Sequence, residues 1–154
     1  MKQLLLQGLT VTSVASILFS ITPMPSKGHD ANQAEKLGVK IEELTKSSKE
    51  WNGQDLPQYP RGIPEIKVLR IEIPAGVKLP RHTHPVINAA VILKGSLELK
   101  LMDGTRRIFQ AGEALIEVVD TVHSGRALDN EDVDLIVFYA GIQGTPTTIF
   151  VKKP

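Results

Sequence analysis

The chain contains no cysteine. That absence removes disulfides, thiolate metal ligands, cysteine nucleophiles and anchoring through a lipid-bearing N-terminal cysteine. Any metal site must be assembled from imidazoles, carboxylates, amides and water. Aromatic residues are few, at 5% with a single tryptophan, and neither charge sign dominates: 18 basic and 17 acidic residues give a formal net charge of +1. No Lys/Arg stripe stands out, which speaks against a nucleic-acid partner. Steering of charged ligands by net charge likewise has no support. Histidine is also scarce, with four residues, so their placement is informative.

The 154 residues, 42% hydrophobic, suffice for one compact domain and are too few for two large ones. Residues 1–28 begin with Lys2, lack acids and carry an apolar run from about Leu4 to Ile21. They read as a secretory signal peptide, which implies a periplasmic or secreted protein. The run is nearly long enough to cross a bilayer, so an uncleaved anchor is the rival reading. Polar interruptions at Gln7, Thr10, Thr12, Ser13 and Ser16, together with Pro23, favour the signal peptide.

Residues 29–61 form a polar, proline-dotted N-terminal arm. Within it Val39, Ile41 and Leu44 suit a short strand, or the start of a weak helix over Glu42 to Trp51; the pattern does not decide. Trp51 is expected to pack the arm onto the domain or onto a second subunit. From Glu65 the texture changes to short alternating runs: IKVLRIEI, INAAVIL, SLELKLM, TRRIF, AGEALIEVV, HSGRAL and VDLIVFYAG. Turn residues separate them, and Asp103-Gly104 predicts a two-residue hairpin loop. No ten-residue helical pattern interrupts residues 65–140. The fold class is all-β, a sandwich or small barrel.

Two histidines, His82 and His84, stand one residue apart in RHTHPVIN. In a strand they share a face, so both rings can converge on one ion. Taken alone the pair is a weak signal. Asn88 has the same parity, and His123 opens a later strand. Glu117 shares parity with His123 across the intervening turn, which makes it either a proton-handling group at the barrel mouth or a solvated strand glutamate. Tyr139 reads as core or as a hydroxyl aimed into a cavity. Arg70 and Glu72 share a strand face and read as a surface pair.

These spacings resemble those of the cupins. That family's first motif runs Gly, five residues, His, one, His, three or four, Glu, six, Gly. Gly76, His82, His84 and Gly95 fall in register, with Asn88 in the place of the glutamate. The second motif runs Gly, five residues, Pro, one, Gly, two, His, three, Asn. Gly112 and His123 fit it, whereas Val118, Asp120 and Ala127 replace the Pro, Gly and Asn.

The resemblance implies a single-domain cupin, a double-stranded β-helix or jelly-roll barrel over 62–148 behind the N-terminal arm. It implies that His82, His84 and His123 hold a divalent transition metal (Mn, Fe, Co, Ni, Cu or Zn). Asn88, at the fourth ligand position, either coordinates weakly, hydrogen-bonds a ligand of the ion, or merely satisfies a nearby backbone group. A small-molecule substrate follows, although cupins include dioxygenases, isomerases, epimerases, decarboxylases and lyases, so no reaction is selected. Metal-dependent binding of a small molecule or anion without turnover is the alternative. Many cupins pair through an N-terminal strand or a sheet face, which implies a homodimer.

Overall fold

The computed structural model describes residues 36–152, so the signal-peptide reading of 1–28 and His29 lie outside the described residues. The chain divides at Ile41. Residues 36–41 contain no strand, and the nine strands found among the described residues all belong to the unit that begins at Glu42.

The strands are β1 Pro64–Ile73, β2 His82–Thr83, β3 Ile87–Lys94, β4 Ser96–Leu101, β5 Arg106–Gln110, β6 Ala114–Ile116, β7 His123–Ala127, β8 Val133–Ile142 and β9 Ile149–Phe150. They form two antiparallel sheets, in the orders β1-β8-β3-β6 and β5-β4-β7-β2-β9. The fold is all-β, as the alternating runs predict, and a jelly-roll, as the resemblance implies. The strand or weak helix considered between Val39 and Trp51 does not form, since this stretch carries only turns and one isolated bridge, Lys49 to Asp55. The strands also run past residue 148, because β9 closes the second sheet beside β2.

Period-2 patterning explains the two central strands of the first sheet. β3 buries Asn88, Ala90 and Ile92, and β8 buries Val133, Leu135, Val137 and Tyr139, while the residues between them face outward. The second sheet answers with Leu97, Leu99, Phe109 and Ala127. Each large aliphatic or aromatic side chain so buried contributes about 1.5–3 kcal/mol relative to exposure. Glu98 breaks the pattern on β4: it is buried on the outer side and accepts from Arg126 Nε at 2.9 Å. Arg70 also differs from expectation, pairing across strands with Asp134 (2.7 and 3.1 Å) in place of Glu72. Register accounts for this, because Glu72 stands opposite Asp134 and leaves Arg70 on the diagonal.

The β4–β5 hairpin forms, but its loop has three residues where Asp103-Gly104 predicts two. Leu101 N–H donates to Thr105 O (2.9 Å), and Gly104 N–H to Leu101 O (3.3 Å). Gly104, with φ 95°, takes the left-handed third position that such loops require. A close approach fixes Gly95 too: a Cβ there would lie 2.4 Å from Asp132 O.

Candidate metal centre

The barrel topology brings together what the sequence separates. β2 pairs with β7 so that His82 and His123 are direct cross-strand partners. His84 follows two residues after His82, just past the end of β2. Ring centroids are 4.3 Å apart for His82 and His123, 5.0 Å for His82 and His84, and 5.1 Å for His84 and His123. One ligating atom from each ring lies within 4.8 Å of the others, and all three residues are buried.

Each ring is held by its Nδ1. His82 Nδ1 lies 2.8 Å from Pro80 O, His84 Nδ1 2.7 Å from Thr147 O, and His123 Nδ1 2.9 Å from Thr121 O. A carbonyl oxygen can only accept, so every Nδ1 carries the proton and every Nε2 presents a lone pair. This tautomer and orientation are what a metal-ligating imidazole needs. His123 Nε2 is buried without a hydrogen-bond partner, a cost that a bound cation would relieve. Burial pushes all three imidazoles down, His84 to about 4, which keeps them neutral and able to ligate. The residues present therefore fit a divalent ion.

The histidines open into a cavity of about 250 Å³ that Asn88, Glu117, Tyr139 and Thr148 also line. Asn88 faces it from β3, and its amide nitrogen reaches only Val86 O, at 3.5 Å. That contact is too long to fix the side chain firmly. Glu117 is buried, not solvated, with Oε1 3.9 Å from His123 Nε2. The same oxygen accepts from Trp51 Nε1 at 2.8 Å and Val118 N–H at 3.0 Å. Burial is the main influence on its carboxyl and raises its pKa. The Tyr139 ring packs 5.6 Å from that of His84.

Several residues act at the site without a recognisable motif. Trp51 packs edge-on against Phe109, donates its backbone N–H to Ile116 O (2.9 Å) and clamps Glu117 from outside the strands. Its neighbour Glu50 accepts from Val119 N–H at 3.0 Å, holding the loop between β6 and β7. In that loop Asp120 adopts φ 50° at the position where the second motif has glycine, and its N–H donates to His84 O at 2.9 Å. Aspartate is one of the few residues that visit this region readily. On the C-terminal side, Thr147 supplies the carbonyl that orients His84.

A two-sheet barrel with three converging imidazoles is the arrangement that the cupin resemblance implies. A profile of the cupin domain matches residues 69–139, the span that holds all three histidines, so this part of the chain is a cupin domain. Among solved structures, one likeness supports the fold. The DMSP lyase structure reported for RdDddP and RnDddQII matches with a TM-score of 0.50 and 13% identity, covering 56% of this chain and 44% of that one. The DMSP lyase DddQ from Ruegeria pomeroyi matches at 0.49 and 22%, covering 56% and 43%. A cupin-like protein from Thermotoga maritima matches at 0.49 and 14%, covering 57% and 65%. At such identities the likeness concerns fold alone, and less than half of either lyase chain is spanned. No curated protein matches the sequence significantly.

The Trp51–Glu117 contact yields a direct expectation. Trp51→Phe keeps a ring against Phe109 but removes the indole donor from a buried carboxylate. Stability should fall by about 1–3 kcal/mol, read as a lower midpoint in urea denaturation. An unchanged midpoint would show that Glu117 does not depend on this donor.

Proposed function

We propose that the chain is an exported metalloenzyme that acts on a small molecule inside the barrel. One observation carries the reading: three buried imidazoles, each locked by Nδ1 to a backbone carbonyl, turn free Nε2 lone pairs toward one cavity. A divalent ion held there supplies Lewis acidity or, if iron or copper, a site for oxygen chemistry.

The chain's own groups then have definite tasks. Glu117, with Oε1 3.9 Å from His123 Nε2 and its pKa raised by burial, is placed to take or return a proton at that oxygen. Asn88 contributes a neutral amide where a carboxylate would cancel part of the ion's charge, so the open positions favour an anionic group. A second reading, binding without turnover, is favoured by one fact: Glu117 Oε1 already accepts two hydrogen bonds, which weakens it as a base.

Export rests on the composition of residues 1–28, and intact-mass analysis of protein from the native host tests it. A homodimer belongs to the same proposal. Val68 and Phe138 are opposite neighbours on β1 and β8, and with Ile66 they leave an apolar outer face exposed. Sedimentation velocity reads its mass.

Wild-type protein loaded with each candidate metal should retain about one ion per chain and melt at lower temperature after chelation. At a free metal concentration of 100 times Kd, the stabilisation is about 2.7 kcal/mol. The His82→Ala/His84→Ala/His123→Ala protein should show neither effect; identical behaviour of the two proteins would contradict the site. Asn88→Glu should bind metal more tightly and azide more weakly, each by roughly tenfold or more. If neither changes, Asn88 does not face the ion. Turnover of any compound from a panel of small acids and phenols, against binding alone, separates the two readings.

A further inference from the structure

The cavity is chemically polarised along the strands. At the histidine level most of its wall is polar: Asn88 on β3 stands opposite Tyr139 on β8, with His123 on β7 and Glu117 just beyond β6, and Phe150, opposite His82 on β9, is the apolar exception. Two residues further along each strand the inward positions become Ala90, Val137, Gly125 and Leu115. Register locks these together, since Ala90 pairs with both Val137 and Leu115, and Gly125 pairs with Leu99. Another step brings Leu135 into the lining opposite Ile92. Among the described residues that line the cavity there is no lysine or arginine, and Glu117 is the only carboxylate.

We infer that the cavity takes a small amphipathic molecule, with one singly charged or metal-ligating head and an apolar body. The head belongs at the histidines, a placement that rests on the metal-centre reading, whereas the body is assigned by the wall itself. A second charge or a ring of hydroxyls would have to leave water for leucine, valine and alanine side chains without a partner. Dicarboxylates and sugars are therefore poor occupants. Volume bounds the body: a cavity of about 150 Å³ holds benzene, and this one measures about 250 Å³. One ring, or a chain of about five or six carbons, fills it once the head is placed.

Calorimetric titration tests the inference with acetate, butanoate, hexanoate and benzoate, against succinate, adipate and glucose. Each is titrated into zinc-loaded and chelator-treated protein whose zinc content is measured independently. Affinity should rise about fourfold for each methylene beyond acetate, and succinate, adipate and glucose should bind more weakly than hexanoate. Ala90→Leu fills the first apolar level and should lower hexanoate affinity at least tenfold while leaving zinc content and acetate binding unchanged. Leu79→Gln, at a partly buried position of the wall, is a second variant if circular dichroism shows that Ala90→Leu misfolds; it should flatten the dependence on chain length. No dependence on chain length in the wild type, or preference for succinate, adipate or glucose, overturns the inference. Equal affinities with and without zinc overturn the metal-dependent placement of the head and leave the apolar body standing.

Discussion

Three hydrogen bonds from imidazole Nδ1 to the backbone oxygens of Pro80, Thr121 and Thr147 set the character of this protein. A histidine free to rotate would offer either nitrogen, in either tautomer, to water. Here the proton is held on the outer nitrogen of each ring, and the lone pairs are left in a buried space. Burial depresses the imidazole pKa values and so keeps those lone pairs available. The cost is concentrated at His123, whose Nε2 has no partner. A fold that leaves a buried acceptor unsatisfied beside two others is arranged for a cation.

The surrounding architecture serves that arrangement from three directions. Pairing of β2 with β7 opposes His82 and His123. Pairing of β2 with β9 brings the C-terminal segment alongside, so that Thr147 can orient His84. The arm comes from the other end of the sequence, where Trp51 fixes Glu117 and Glu50 holds the following loop. Below the polar level the same strands present only aliphatic side chains, and the cavity combines a histidine-lined polar end with an apolar body. Asn88 fits this division, since it adds polarity at the histidine level without adding charge.

Much of this was legible in the sequence, and the exceptions have physical reasons. Alternation identified β3 and β8 because their inner faces are continuous core, so period 2 survives intact. The same parity placed His82 and His84 together. Glu117 was ambiguous because a buried and a solvated strand glutamate share one pattern; what decides is Trp51, 66 residues earlier in the chain. Thr147 could not be found at all, since it acts through a backbone carbonyl that every residue possesses. β9 escaped for a related reason: two residues carry no periodicity. The hairpin loop was misjudged by one residue, because Asp-Gly suits both a two-residue turn and the last positions of a three-residue loop.

Long-range ¹H–¹⁵N correlation spectra of the metal-free protein test the central claim most directly, because they report which nitrogen of each histidine ring bears the proton. His82, His84 and His123 should each appear as the neutral Nδ1–H form near pH 7, and zinc should shift all three Nε2 resonances together at one equivalent. Any of the three found as the Nε2–H tautomer, or unaffected by saturating zinc, would contradict the assignment of these rings as a single metal-binding set.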